Sequence, residues 1–201
     1  MKLLIVNGSP RAPRSNSRRY AELFQARWKG EARYAALTAK NHAELAAAAA
    51  DCTDLLLVFP LYADGLPAPL LRFLEFLEGA GPEHRPRISV LINCGFLEPE
   101  QTRPAVEMVR FFCKRYGFPW GMALQIGSGE AILNTPFSFL VRRGLRRLAA
   151  GMRAGRSEVL SVRMPLNRRM FVWASGRYWT DYGAKNHITA GEMRTMEIEG
   201  G

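Results

Sequence analysis

The chain has 201 residues, 48% of them hydrophobic, with 28 Lys and Arg against 18 Asp and Glu and a net charge of +10. That size and composition fit one soluble globular domain, 1–201, with a sizeable core. Apolar runs such as 55–59 and 90–92 are far too short to cross a bilayer, and the N-terminus shows no secretory h-region, so a cytoplasmic location is expected. Cys52, Cys94 and Cys113 form neither an even disulfide set nor a CxxC pair, and His42, His84 and His187 are scattered, so no metal site follows from spacing. Lysine occurs only at positions 2, 29, 40, 114 and 185, so the basic excess is mostly arginine. A basic surface steers phosphates and anionic lipids, which admits nucleic acid or an anionic membrane surface as a partner without favouring either.

The first apolar run, residues 3–6, reads as a strand that Asn7 and Gly8 break, after which Ser15, Asn16 and Ser17 are cap residues for a helix over 16–28. Free N–H groups at a helix start and the helix dipole together favour an anion in such a turn. Ser9, Ser15, Asn16 and Ser17 add side-chain donors and Arg11 adds a charge-assisted one, a set suited to a terminal phosphate monoester. The segment lacks GxxxxGK[ST] and GxGxxG, so neither a triphosphate loop nor a dinucleotide fingerprint is present. The plainer reading is a strand, a turn and an ordinary N-cap.

Further strands are expected over 33–37, 55–59, 88–92 and 122–126, and the near-continuous Leu, Ile and Val of the first, third and fourth strands in the chain suit a parallel sheet covered on both faces. Helices are expected between them over 41–50, 67–78 and 104–116, and then over 134–153. The alternation predicts a doubly wound α/β sheet of five parallel strands, with right-handed crossovers deciding most of its topology. After Arg156 the pattern changes to an aromatic and basic segment with no place in that sheet, so the core is expected over about 1–155 and a C-terminal helical, aromatic extension over 156–201.

Strand ends in a parallel sheet share one edge, so the loops NGSPR, PLYADGLP, NCGFLE and GSGEAI gather there, where open α/β sheets bind ligands. The first would hold a phosphate. Tyr62, Gly65 and two prolines make the second a stiff wall for a flat ring. The third, residues 93–96, brings backbone N–H groups and an amide to a ring edge that gains negative charge on reduction.

These residues resemble the flavodoxin-like NAD(P)H-dependent FMN reductase and quinone reductase family: NGSPR with SNS, PLYADGLPAPLLRFLE, NCGF and the GSGE turn carry the likeness over about residues 1–150. The resemblance implies the strand order 2-1-3-4-5, bound FMN, NAD(P)H as co-substrate, a small-molecule electron acceptor such as a quinone or free flavin, and a homodimer. Ser9, Arg11, Ser15, Asn16 and Ser17 match the family's phosphate positions. Pro60, Leu61, Tyr62, Ala63, Asp64 and Gly65 match the loop that cradles the isoalloxazine. Asn93, Cys94, Gly95 and Phe96 close its other side, and Gly127 and Gly129 belong to the GSGE turn. An electron-transfer flavoprotein without substrate turnover, or a basic nucleic-acid or membrane-surface module on the same fold, are the alternatives.

No Ser/His/Asp or Cys/His set is readable and the carboxylates are dispersed, which disfavours hydrolysis and leaves no catalytic side chain to name. Cys94 is assigned to binding only, since a lone cysteine at a strand end is usually a packed hydrophobe. Arg142, Arg143, Arg146, Arg147, Arg153 and Arg156 lie opposite Val141, Leu145, Leu148 and Met152, the spacing of an ordinary surface helix. Arg168, Arg169, Trp173, Arg177, Tyr178 and Trp179 mix basic and aromatic residues in a way that suits bases or a lipid interface, but packing or a subunit contact is the plainer role.

Overall fold

A computed structural model describes residues 1–12, 14–79 and 85–195; His84 lies outside them. Its strands are β1 (Lys2–Asn7), β2 (Glu31–Ala36), β3 (Asp54–Pro60), β4 (Arg87–Asn93), β5 (Trp120–Ile126) and β6 (Val159–Val162). They form one sheet in the order β2-β1-β3-β4-β5-β6, every neighbouring pair parallel. The connecting helices are α1 (Asn16–Gln25), α2 (His42–Ala50), α3 (Ala68–Glu78), α4 (Arg103–Tyr116) and α5 (Ser138–Arg153). The central strands bury nearly every side chain, as their unbroken apolar runs require. Leu4, Val6, Leu57 and Val90 pack with Leu45 of α2, Leu70 and Phe73 of α3 and Val106 and Val109 of α4 on one face. On the other, α1 and α5 contact each other.

The sheet has six strands where five were expected. Residues 159–162, assigned to the extension, pair with β5 from Ala123↔Val159 to Ile126↔Val162. Glycines bring α5 close to these two strands: a Cβ on Gly144 would stand 2.8 Å from Val162 Cγ2, and one on Gly151 2.7 Å from Met122 Sδ. Because α5 lies on the α1 side while α4 lies on the other, the β5–α5–β6 crossover has the opposite hand to β4–α4–β5. Right-handed crossovers prevail in about 98% of such units. A reading that assumes that hand has no place for this strand. β6 is also short and half exposed, with burial on one side only, so its four residues carry little of the apolar signal of a central strand.

By contacts the chain divides into two compact units, residues 1–164 and 165–201. The second contains α6 (Arg168–Lys185), capped by Asn167 Oδ1 accepting from Met170 N at 2.9 Å, and α7 (Ala190–Thr195). Met193 of α7 packs against Gly183, where a Cβ would meet its Sδ at 2.6 Å. Among the described residues no helix is long and apolar enough to cross a membrane.

Candidate functional site

All six strands run the same way, so Asn7, Pro60, Asn93 and Ile126 end on one edge and their loops meet there. At the first loop, Ser15 is the N-cap of α1, in extended backbone with Oγ accepting from Arg18 N at 3.1 Å. Asn7 Nδ2 donates to the same oxygen at 3.4 Å and to Tyr34 Oη at 3.0 Å. With both lone pairs of Ser15 Oγ engaged, its proton is left to donate outward. A helix leaves its first N–H groups without intrahelical acceptors, so those of Asn16 and Ser17 are the donors an anion would meet. Ser9 is buried, with its N–H on Asn7 Oδ1 at 2.9 Å and its Oγ accepting from Arg11 N at 3.3 Å. The Arg11 side chain is exposed and, among the described residues, enters no ion pair.

The second loop leaves β3 at Pro60 and turns back at once. Tyr62 and Gly65 exchange backbone hydrogen bonds of 3.2 and 3.0 Å around Ala63 and Asp64, whose φ values are +44° and +57°. Two consecutive left-handed residues make this a turn of type I′, strained for alanine but tolerated by aspartate. The turn holds Tyr62 57% exposed, while Leu61 N donates to Asn93 O at 2.8 Å and ties the loop to the third one. The third loop carries Phe96, 53% exposed. Among the described residues, the N–H groups of Ala63, Asp64, Gly95 and Phe96 make no hydrogen bond within the protein.

Other donors expected at the ring edge are already engaged. Asn93 is buried, and its Nδ2 donates to Ser17 Oγ at 3.0 Å and to Phe59 O at 3.2 Å, so it binds two strand ends, those of β3 and β4, and the start of α1 together. Cys94 N donates to Ile126 O at 2.9 Å and accepts nothing through its side chain. Burial pushes its thiol up to about 11, with Phe96 O and Glu98 O both 3.9 Å from Sγ. Gly127 N donates to Val162 O and Gly129 N to Cys94 O, and Cβ atoms at these two positions would run into Leu97 O and, at 2.8 Å, Asn93 Cβ. The GSGE turn is therefore packed directly against the third loop, and Gly127 and Gly129 act there as spacers. Between them Ser128 sits at φ +56°, buried, with no partner for its Oγ among the described residues.

Three residues of this network lie outside the site set the sequence predicts. Asn7 stands in the sequence as a strand breaker; Tyr20, buried on α1, donates to Gly129 O at 2.7 Å; and Tyr34 of β2 accepts from Asn7. A polar residue closing an apolar strand is a signal for Asn7. Nothing local marks the two tyrosines, which act across 109 and 27 residues of chain.

No family model and no curated protein matches the sequence. Among solved structures, a flavodoxin from Streptococcus pneumonia aligns over 76% of this chain and 98% of its own, with a TM-score of 0.57 and 14% identity. The fold is flavodoxin-like. An NADPH-quinone reductase from P. pentosaceus aligns over 74% of this chain and 98% of its own at a TM-score of 0.57 and 15% identity. The NAD(P)H:quinone oxidoreductase from Methanothermobacter marburgensis aligns over 78% and 96% at 0.54 and 18%. In flavodoxin-like sheets the ligand edge is the carboxyl end of the strands near β1 and β3, where the strand order reverses, which is where the loops described above converge.

Proposed function

We propose that this chain is an FMN-binding oxidoreductase that takes NAD(P)H as co-substrate and serves a small acceptor such as a quinone or free flavin. The observation that carries this reading is the pairing of two unlike sites on one edge: an anion-ready helix start after β1, and two interlinked loops that present exposed aromatics and unpaired N–H groups. A ligand with a phosphate at one end and a flat polar ring at the other matches both. When bound, FMN supplies the hydride chemistry.

The protein's share is binding and orientation. Ser15 would donate its free proton to the phosphate, the N–H groups of Asn16 and Ser17 would face it, and Arg11 would add charge. Ser9 and Ser17, both buried, shape the loop around it. Tyr62 and Phe96 supply aromatic surface beside the ring, and the N–H groups of Ala63, Asp64, Gly95 and Phe96 supply donors to its polar edge. Cys94 stays protonated near neutral pH and takes no part as a nucleophile. The quinone reductases among the structural neighbours support the class of acceptor. A homodimer and a cytoplasmic location belong to the same proposal.

The test is a titration of purified protein with FMN followed by quenching of flavin fluorescence, then NADH and NADPH oxidation with a quinone present. Saturable binding that Arg11→Ala weakens supports the reading. A protein that neither contains nor takes up FMN overturns it.

A further inference from the structure

Helix α5 carries five arginines and no acidic residue in sixteen positions. Val141, Leu145, Leu148 and Met152 are fully buried against the sheet, and Arg142, Arg143, Arg146, Arg147 and Arg153 are all exposed. Among the described residues none of the five takes part in an ion pair or a side-chain hydrogen bond. Arg142 and Arg146 are four apart and Arg153 follows seven later, which returns all three to one line of the helix about 16 Å long; Arg143 and Arg147 run alongside. Like charges at i,i+4 repel, and Arg142 and Arg143 also lie in the half of the helix nearer its positive end. The neighbouring α1 adds to the repulsion. Burial first, then Arg142 and Arg146, lower the pKa of Arg27, which lies just past the C-terminal end of α1. A rigid helix that gathers cations with nothing to neutralise them lacks its counter-charge.

We infer that this arginine ridge of α5 is a docking surface for the phosphodiester backbone of nucleic acid, bound without regard to base sequence. Guanidinium groups match phosphate oxygens in pairs, and duplex DNA offers a negative charge about every 1.7 Å along its axis. The ridge carries no Asn, Gln, Asp or Glu to read base edges, and its guanidinium groups pair with phosphate oxygens, so phosphate contacts dominate. Lipid is the poorer match. Interfacial helices insert an apolar face, and that of α5 is already spent on the core, leaving Phe139 as its one large exposed apolar side chain. The inference is independent of flavin binding.

The experiment is fluorescence anisotropy of the full chain with two labelled 20-base-pair duplexes of unrelated sequence, from 50 to 200 mM KCl. Both duplexes bind alike, within twofold, and the logarithm of affinity falls against that of salt with a slope of about −3 or steeper. Arg142→Gln/Arg146→Gln/Arg153→Gln loses tenfold or more at 100 mM salt and flattens the slope by about two to three. A charge-matched control on other elements, Arg72→Gln/Arg103→Gln/Lys114→Gln, changes affinity less than threefold. Circular dichroism confirms that each variant is folded, and Arg146→Glu alone gives an intermediate loss if the triple variant is not. Equal losses in the ridge and control variants overturn the inference in favour of net charge. So does the absence of duplex binding, whether or not vesicles containing 30% phosphatidylglycerol are bound.

Discussion

Asn93, at the end of β4, donates from Nδ2 to Ser17 Oγ at 3.0 Å across 76 residues of chain, and the same nitrogen reaches Phe59 O. One buried amide thus couples the helix start that would hold a phosphate to the loops that would hold a ring. Asn93→Ala leaves both acceptors without this donor in a buried place, at an expected cost of about 1–3 kcal/mol. Urea unfolding should show that loss with an unchanged slope. FMN affinity should fall at least tenfold, because both halves of the site lose their common anchor.

The turn at Ala63 and Asp64 separates backbone strain from side-chain chemistry. Glycine adopts φ +44° freely, whereas a β-branched residue does not. Ala63→Gly should keep stability within about 1 kcal/mol and retain FMN binding. Ala63→Val should open the turn, lower stability by about 1–3 kcal/mol and weaken FMN more than tenfold, read by thermal unfolding and fluorescence quenching.

Ser15 caps α1 and Arg11 does not, so the two should part company. Ser15→Ala should lower stability by about 1 kcal/mol, or about 2–4 °C in Tm, and weaken FMN as well. Arg11→Ala should leave Tm within 1–2 °C, roughly, since the side chain is exposed, and weaken FMN most at low salt.

Tyr20→Phe removes the hydroxyl that donates to Gly129 O at 2.7 Å and leaves a buried carbonyl short of a partner. A loss of about 1–2 kcal/mol is expected in urea unfolding. FMN affinity should change little, because the GSGE turn is held from below and also by the Gly129 N to Cys94 O bond.

Burial raises the Cys94 thiol to about 11, above its value in the unfolded chain, with the Phe96 carbonyl contact opposing the rise. The folded state therefore holds its proton to higher pH than the unfolded state. Stability from this group is fully present below about pH 9 and is lost as pH rises to about 11, by up to about 2–3 kcal/mol. Urea unfolding across pH 8–11 should show that decline, shallower in Cys94→Ala. Iodoacetamide at pH 8 should leave Cys94 largely unmodified in the native state.

Much of the fold was legible before any coordinates. An unbroken run of strand length such as 55–59 suits a strand covered on both faces, and the residues at 15–17 are ones that favour a helix start, which is why β3 and α1 lie close to where they were expected. The candidate loops were legible for the same reason, since parallel strands send their carboxyl ends to one edge whatever the details. Three things were decided only by tertiary structure. The edge strand β6 owes its place to a crossover against the usual hand and to the closeness that Gly144 and Gly151 permit, neither of which has a period or composition to betray it. The type I′ turn at 62–65 has alanine at its first left-handed position, so there the backbone is held by the hydrogen bonds around it rather than by residue preference. The division of labour among polar residues came last: Asn93 spends its amide on Ser17 and Phe59, Gly127 its N–H on β6 and Gly129 its N–H on the third loop, because donors buried between converging strand ends must find partners there, and that pairing exists only once the strands are side by side.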